Sequence, residues 1–435
     1  MKIFDNPFLL EMSNKKWLLP VIFIISCILI ILRRPDAIFL SQPWAEDGNI
    51  FLQQAIYHSW SSLLIPYAGY LHFIPRIITN LSLYLGLANA PFLMNVSSII
   101  IASLCAIFFS TKHFRFIIKS DFLRVICSFF IIVTPGVPEI TSNITNIQWF
   151  VTAFVILFIS ILTFRYDQYQ KLNYITKFFY SISLILSFLT APYTLILFPV
   201  LVYVIIRRIL TKEERRSLWF IIVPTSVIIS NVIFLINYHS SLTSHEIIAK
   251  DMIITFVNAV VFGTIKLFYY DAHQIISQIK SLAYVIPIFI FGLIIINALK
   301  NKSKIEFYFL AFWLSGISFT LMLRPAMAGP LVWLDLTNMG GNERYFFILL
   351  ISLFILLLRQ YEINTSKIIK VVFLILFFVV ATNTVMAFSL APFNDMHYRD
   401  MVKVFDPTGQ QHCSIPINPN TWSFDIPCSS PILHR

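Results

Sequence analysis

The chain alternates long apolar runs with short segments that contain charge or proline. About eleven of these runs hold roughly 13 to 21 residues each. They lie near positions 17–32, 91–110, 122–134, 148–164, 175–190, 193–206, 217–236, 281–298, 305–322, 345–358 and 367–387. A helix of about 20 apolar residues spans the hydrocarbon core of a bilayer, where every backbone polar group needs an internal partner. The pattern therefore predicts an all-α polytopic membrane protein with about 11 to 13 transmembrane helices.

Composition and charge agree with a membrane location. Of the 435 residues, 58% are hydrophobic and 12% are charged, and the mean hydropathy is +0.79. The net charge of +11 lies in short clusters between apolar runs, which favours topology signals over a nucleic-acid surface. With the N-terminus in the cytoplasm, the inner segments hold 21 of the 32 Lys and Arg residues. We therefore predict a cytoplasmic N-terminus and a C-terminal tail outside.

Three apolar stretches do not enter the count of crossings. Residues 50–66 and 69–87 are interrupted by prolines and an arginine. If only one of them crossed, the basic segment 112–124 would move outside and the charge bias would be lost. We predict that they are interfacial helices on the outer face, or a hairpin that enters the membrane and returns. Residues 252–270 are predicted to lie along the same outer surface.

The pattern divides the chain into two parts. Residues 1–387 form the predicted transmembrane domain, with the first outer loop and its interfacial helices at 33–90. Residues 388–435 form a predicted extracytoplasmic tail of loops, rich in proline and asparagine. Cys413 and Cys428 both lie in this tail. Outside the cytoplasm, a disulfide between them would stabilise the tail by about 3 kcal/mol.

The polar motif that organises the sequence is Pro43-Trp44-Ala45-Glu46-Asp47-Gly48, one short loop beyond the first apolar run. An ionisable group near hydrocarbon costs on the order of 2.5 to 3.5 kcal/mol, which favours a functional role for this acid pair. Adjacent carboxylates repel each other, so one of them has a raised pKa or the pair binds a divalent metal. The sequence leaves both open. The competing interpretation is a solvated loop with two ordinary acids.

Further polar groups fall on the same predicted side of the membrane. They are His72, Arg76, Glu139, Asn146, Arg324 and Arg344. Carboxylates and arginines on one face suit a reaction in which a hydroxyl loses a proton while a phosphate leaves. Structural alternatives remain: a snorkelling Arg76, a packed His72, Asn146 as a loop brace, and Glu343 with Arg344 as a local ion pair at the start of a helix.

Taken together, these motifs resemble the GT-C glycosyltransferases. The resemblance rests on Trp44-Ala45-Glu46-Asp47-Gly48, Gly69-Tyr70-Leu71 with Pro75-Arg76, Pro135-Gly136-Val137-Pro138-Glu139 running to Asn146-Ile147-Gln148-Trp149, and Glu343-Arg344-Tyr345-Phe346. Within that class the chain is most similar to the serotype-converting glucosyltransferases that decorate bacterial O-antigen, the outer polysaccharide of lipopolysaccharide. The similarity covers the architecture through most of the chain.

The resemblance implies an inverting transfer from a polyprenyl-phosphate sugar, at the periplasmic side of the bacterial inner membrane. Asp47 or Glu46 would be the general base, and Arg344 with Arg76 or Arg324 would hold the departing lipid phosphate. The expected substrate-binding residues are Glu139, Asn146, Trp149, Tyr345 and His72. No cofactor is firmly implied, and a divalent metal stays open. A guanidinium fork suits the phosphate, as a carboxylate suits the acceptor proton.

The expected partners are the bilayer, the lipid-linked O-antigen acceptor and, as auxiliary proteins, a small flippase and a donor-lipid synthase; no nucleic acid is expected. The first alternative is an O-antigen polymerase, which also has many helices and outer arginines. The second is a polysaccharide or lipid-carrier transporter, which would need ionisable groups near the middle of its helices. The helix interiors here hold few charges, and the acids gather at one face, which disfavours transport.

Overall fold

A computed structural model describes residues 17–211, 215–240, 249–323, 343–404 and 413–426. Within these ranges the protein is mostly helical. Seven of the helical stretches are long and apolar enough to cross a membrane: Ala90–Ser110, Ile147–Phe164, Pro192–Leu210, Asp251–Phe268, Ala272–Lys300, Glu343–Ile363 and Lys367–Met386. The prediction of a polytopic helical membrane protein is thus confirmed at this level. The number of crossings stays a prediction.

From residue 17 to residue 211 the structure describes ten α-helices, most of them joined by short 3-10 turns. They are α1 (Leu18–Arg33), α2 (Asp36–Phe39), α3 (Gln53–His58), α4 (Phe73–Ser82), α5 (Ala90–Ile107), α6 (Asp121–Val133), α7 (Ile147–Phe164), α8 (Tyr166–Gln170), α9 (Tyr174–Thr190) and α10 (Phe198–Leu210). Within this range α7 is the most enclosed long helix, since nearly all of its residues are buried. A helix that is apolar on every side belongs in the centre of a bundle.

The second half contains eight α-helices and two short strands among its described residues. They are α11 (Arg215–Ser240), α12 (Ala249–Phe268), α13 (Ala272–Ile279), α14 (Val285–Lys300), α15 (Lys304–Leu323), α16 (Phe347–Ile363), α17 (Lys367–Met386), α18 (Tyr398–Val404), β1 (Cys413–Ile417) and β2 (Trp422–Ile426). Helix α16 is the second enclosed helix and contacts α7. The long helices agree with the predicted runs to within a few residues at most ends, although α11 is longer than predicted.

Side-chain contacts define two faces of the bundle. On one, which we call the site face, Arg33 at the end of α1 donates to the carbonyls of Ile132 (3.1 Å) and Thr134 (2.8 Å) at the end of α6. On the other, which we call the opposite face, Arg359 pairs with Glu306 at 2.8 Å and also donates to Phe116 O. The predicted inner segments near 112–124, 300–304 and 359–370 thus lie together.

The chain between α1 and α5 contains only short helices. After α2 it forms one π-helical turn, Asp47–Leu52, then α3, the 3-10 turn Ser59–Leu64, α4 and the 3-10 turn Leu83–Leu85. The longest of these, α4, has 10 residues and therefore a length of about 15 Å, half the thickness of a hydrocarbon core. Whether residues 50–87 are interfacial helices or a hairpin that enters the membrane and returns stays a prediction.

Helix α12 has a length and composition that suit a crossing, but its described contacts lie at one level. Asn258 accepts a hydrogen bond from Tyr284, just before α14 (3.0 Å), and Phe262 contacts Phe346, just before α16. The side chain of Asn383, in the last turn of α17, donates to the carbonyl of Lys266 (3.1 Å). All three partners lie at site-face ends of their helices, and whether α12 crosses the membrane or lies along its outer surface stays a prediction.

The tail packs against the first outer loop on the site face. Strands β1 and β2 pair antiparallel, and Asn418 at the turn forms a bridge with Trp44. The backbone N–H of Leu390 donates to the carbonyl of Arg33. The sequence predicted loops here, and the hairpin was not foreseen. Cys413 begins β1, whereas Cys428 lies outside the described residues, so the disulfide stays a prediction.

Candidate functional site

The two neighbouring acids have different surroundings because the chain turns sharply at their position. Ala45 has a φ of +38°, and the π-helical turn begins at Asp47. Asp47 is 1% exposed, whereas Glu46 is half-buried. The turn therefore directs one carboxylate into the protein and leaves the other on the open side.

Asp47 binds the loop between α6 and α7. Its carboxylate accepts hydrogen bonds from the backbone N–H of Thr145 (2.9 Å), the backbone N–H of Ile144 (3.3 Å) and the hydroxyl of Thr145. Burial raises the pKa of Asp47 from 3.8 to about 7, against the hydrogen bonds from Thr145 and Ile144, which lower it. Asp47 is thus a buried clamp between the first outer loop and the loop that carries Glu139.

Arg344 and Glu139 form the central ion pair of the site face. Arg344 Nη1 lies 2.8 Å from Glu139 Oε2, and both side chains are about a quarter exposed, at 27% and 24%. Burial raises the pKa of Glu139, while Arg344 lowers it and the negative charges of Glu343 and Glu46 raise it further. The late arginine thus meets the loop between α6 and α7, and its meeting with Glu46 and Asp47 in one cavity stays a prediction.

Glu46 belongs to the same electrostatic cluster. Its charge acts on Glu139, on Arg344 and on the hydroxyl of Tyr70. Among the described residues, no donor hydrogen-bonds to the side chain of Glu46 and no cation pairs with it. Glu46 is thus the acid of this cluster whose carboxylate is not held by a donor in the described part of the chain.

Lys266 is a member of the site that sequence reasoning missed. Its ammonium lies 3.3 Å from Glu343 Oε1, although its side chain is only 3% exposed and comes from an apolar helix, α12. A Cβ on Gly136 would lie 2.3 Å from Lys266 Cε, and Gly136 has a φ of +68°. Because Gly136 has no Cβ, the side chain of Lys266 can pass close to the α6–α7 loop. A lone lysine inside an apolar run was the available signal.

The ion pairs also correct one sequence interpretation. Glu343 and Arg344 do not form a local pair with each other, because Glu343 binds Lys266 and Arg344 binds Glu139. Adjacent side chains at the start of a helix point in different directions, so each reaches a separate loop or helix. The two ion pairs therefore connect α12 and the α6–α7 loop to the start of α16.

An aromatic cleft opens beside this ion pair. It is lined by Trp149, Thr152, Tyr193, Ile196, Phe312, Trp313, Gly316, Ile317, Tyr345, Ile348 and Leu349. Trp149 packs on Tyr193 at 4.5 Å between ring centroids and on Tyr345 at 5.5 Å. The cleft is narrow and runs between α7, α15 and α16, directly after Arg344 in the chain. Its volume is about 10 Å³, so the aromatic rings leave space for no more than one water molecule.

Asn146 is a loop brace in this structure. Its amide nitrogen donates to the carbonyl of Glu139 (3.0 Å), and its amide oxygen accepts from the indole N–H of Trp149 (3.3 Å). The side chain of Asn143 donates to the same carbonyl at 2.6 Å. The two amides therefore fix the backbone that carries Glu139, which matches the structural alternative for Asn146.

Arg76 does not join Arg344. It is 1% exposed and donates to Leu71 O (2.8 Å) and to Gln54 Oε1 (2.6 Å), with its guanidinium over the ring of Phe51. Burial lowers its pKa to about 10. Its contacts tie together the first outer loop, so the prediction that Arg76 holds the lipid phosphate is not supported. A snorkelling Arg76 is also wrong, because the guanidinium is buried.

His72 is packed among aromatic rings. It stacks on Tyr70 with 3.8 Å between ring centroids, and it is 1% exposed. Burial, together with the charge of Arg76, lowers its pKa well below the ordinary value, which keeps the ring neutral. Tyr70 in turn donates to Gln148 Oε1 at 3.0 Å. His72 therefore supports the loop, and its predicted contact with substrate has no support in this geometry.

Arg324 lies outside the described residues, so its predicted role stays a prediction. Both oxygens of Asp47 accept hydrogen bonds from the α6–α7 loop, and the divalent metal that the sequence left open stays a prediction. In the part of the chain that the structure describes, no group of three or more His, Cys, Asp or Glu residues is arranged to hold a metal ion.

One face of the bundle thus brings together an open carboxylate, a carboxylate–guanidinium pair, a buried lysine and an aromatic cleft. A proton acceptor, a phosphate-binding cation and an apolar slot are what transfer from a lipid phosphate needs. No protein-family model matches this chain, and comparisons with curated proteins and with solved structures found no match.

Proposed function

We propose that the protein is an inverting membrane glycosyltransferase. It moves a sugar, expected to be glucose, from a polyprenyl-phosphate donor onto lipid-linked O-antigen or a related surface glycan. The predicted topology puts this reaction on the periplasmic side of the inner membrane. The observation that carries the proposal is the meeting of Glu46, the Arg344–Glu139 pair and the aromatic cleft at one end of the bundle.

In the proposed reaction Glu46 is the general base. An acceptor hydroxyl gives its proton to Glu46 as its oxygen forms a bond to the anomeric carbon of the donor sugar. The bond between that carbon and the phosphate oxygen breaks, and the electron pair leaves with polyprenyl phosphate. Attack from the side opposite the phosphate inverts the anomeric configuration. Asp47, with both oxygens hydrogen-bonded, positions the loop and does not face the acceptor.

Arg344 stabilises the negative charge that develops on the departing phosphate. Its guanidinium has five N–H donors, and the described ion pair with Glu139 uses Nη1. Glu139 holds the guanidinium of Arg344 in a fixed orientation before the substrate binds. Lys266 neutralises Glu343, which would otherwise weaken the positive potential at Arg344. In this proposal the donor's polyprenyl chain enters at the aromatic cleft, which has to widen from its volume of about 10 Å³ to admit it.

The test is sugar transfer by the purified protein in liposomes, with labelled polyprenyl-phosphate glucose as donor and lipid-linked O-antigen as acceptor. Removing a general base costs about 100-fold to 10,000-fold in rate. We expect this loss for Glu46→Gln at unchanged thermal stability. Asp425→Asn, an exposed acid on β2, is the matched control and should transfer at the wild-type rate.

The outcomes separate the candidate functions. Wild-type transfer by Glu46→Gln, and by the Glu46→Gln and Asp47→Asn double variant, would overturn the proposal. Products that grow by whole repeat units would instead identify a polymerase, because a decorating enzyme adds one side branch and leaves the chain length unchanged. Movement of intact lipid-linked sugar across the liposome without transfer would identify a transporter.

A further inference from the structure

A second cavity opens on the site face, between the first outer loop and the tail. We call it the tail pocket. It has a volume of about 170 Å³ and is lined by Phe39, Leu40, Ser41, Gln42, Asp395, His397, Tyr398, Arg399 and Asp400. This volume corresponds to roughly six water molecules at their liquid density, which is about the space of one sugar ring. None of these residues belongs to the site described above.

The walls of the tail pocket are fixed by buried polar groups. Gln42 is 4% exposed, donates to the carbonyl of Asn394 (2.9 Å) and accepts from the backbone N–H of Met396 (3.0 Å). Tyr398 is 2% exposed and donates to the carbonyl of Leu87 (3.0 Å). The segment that precedes the acid pair and the segment that follows α17 are therefore joined on both sides of the cavity. A pocket with such walls is preformed.

The polar lining of the tail pocket suits sugar hydroxyls. A hydroxyl both donates and accepts hydrogen bonds, so it pairs equally with carboxylates and with a guanidinium. Asp395 and Asp400 supply acceptors, and Arg399 supplies donors, on one short stretch of chain. The backbone N–H of His397 donates to Asp395 Oδ1 at 2.8 Å, which fixes the turn that presents them.

The apolar rim of the pocket suits the same ligand. Phe39 is 71% exposed and Leu40 is 53% exposed, and both line the cavity. A sugar ring has apolar C–H faces between its hydroxyls, so it needs a few placed polar groups beside apolar surface, as other small-molecule sites do. The mixture of opposite charges excludes a site that selects strongly for an anion or for a cation.

The pocket also lies within reach of the proposed base. Gln42 precedes Glu46 by four residues, so their Cα atoms are at most about 14 Å apart even if the chain between them is fully extended. Trp44 lies between them and stacks on Phe393 of the tail, with 4.4 Å between ring centroids. A saccharide of a few rings, held in the tail pocket, can therefore bring a hydroxyl to Glu46.

We propose that the tail pocket binds one sugar ring of the acceptor glycan, remote from the hydroxyl that is attacked. This role rests on the proposed glycosyltransferase function and assigns acceptor recognition to residues of the tail. The donor binds between Arg344 and the aromatic cleft, and the acceptor binds between Glu46 and the tail pocket. The two substrates thus approach the reaction centre from different sides.

Two measurements test the proposal. Saturation-transfer NMR on the full-length protein in detergent, with the methyl glycosides of glucose, galactose, rhamnose and N-acetylglucosamine, reports direct binding. Transfer kinetics in liposomes report the KM for the acceptor. We expect Arg399→Ala and Asp400→Asn to abolish the NMR signal of the glycoside that binds. They should also raise the acceptor KM about tenfold, with kcat and the donor KM unchanged. Asp425→Asn is the control.

Each outcome decides between the two proposals. Loss of glycoside binding with a raised acceptor KM supports the tail pocket. If no glycoside binds, or if both variants bind and transfer like wild type, the pocket is overturned while the transferase function stands. If the wild-type protein binds a glycoside through these residues but transfers no sugar, the acceptor role is overturned together with the proposed function.

Discussion

The buried carboxyl of Asp47 gives the folding stability a defined dependence on pH. Its pKa is about 7 in the folded protein, against an ordinary value of 3.8. Between these values the folded state binds more protons at Asp47 than the unfolded chain, so the free energy of unfolding falls as the pH rises. The contribution of Asp47 is complete below about pH 4 and is lost as the pH rises through 7.

The magnitude follows from the proton that is released. Between pH 5 and pH 8 the folded state loses nearly all of this proton, while the unfolded chain is already ionised. Integration over the interval gives a loss of about 3 kcal/mol. Other groups titrate in the same range, so the informative quantity is the difference between wild type and Asp47→Asn, which has no proton to release there. Between pH 5 and pH 8, we expect the unfolding free energy of the wild type to fall by about 3 kcal/mol relative to that of Asp47→Asn.

The assay is thermal unfolding in detergent at pH 5, 6, 7 and 8, followed by tryptophan fluorescence. Asp425→Asn removes an exposed acid on β2 and should retain the wild-type slope. A difference between wild type and Asp47→Asn that is constant across this range would refute the reasoning. It would mean that the hydrogen bonds from Ile144 and Thr145 outweigh burial and keep Asp47 ionised throughout.

Three glycines give further predictions. Gly136→Ala should destabilise the protein by about 1–2 kcal/mol in unfolding assays, because φ is +68° and the new Cβ meets Lys266. Adding Lys266→Met to this variant should not restore the wild-type stability fully, because the positive φ remains. Gly48→Ala should lower the unfolding free energy by about 1–3 kcal/mol, since its Cβ would lie 2.5 Å from Ile417 Cδ1. Gly316→Ala should leave the unfolding free energy unchanged in the same assay, because an added Cβ meets no atom within 4 Å.

The bundle was predictable because apolar periodicity and charge bias act along the chain. Runs bounded by Lys, Arg or Pro marked the long helices, and the clustered basic residues marked the ends that gather on the opposite face, as the Arg359–Glu306 pair shows. The β1–β2 hairpin was not predictable in this way. Its strands are five residues each and pack on the Trp44 loop, so a contact distant in sequence stabilises them.

The sequence predicted which residues belong to the candidate site better than it predicted which of them pair with each other. The sequence identified Glu46, Asp47, Glu139 and Arg344 because charged residues are rare in this chain, and rare charges at a membrane face indicate function. It did not separate Glu46 from Asp47, since their difference arises from a turn at Ala45 and from donors about a hundred residues away. Pairing between distant charges depends on the helix packing, which composition does not specify.

The separation of Glu46 from Asp47 also explains why the tail belongs to the site. The turn that points the two carboxylates apart is held from outside by Asn418, whose carbonyl accepts the backbone N–H of Ala45. From inside it is held by the α6–α7 loop, through the hydrogen bonds that Asp47 accepts. A base must be fixed in position to act, and Glu46 is fixed only where these two contacts meet. In the proposed reaction the hairpin and the buried acid therefore serve the same purpose, which is to hold the half-buried carboxylate of Glu46 in place.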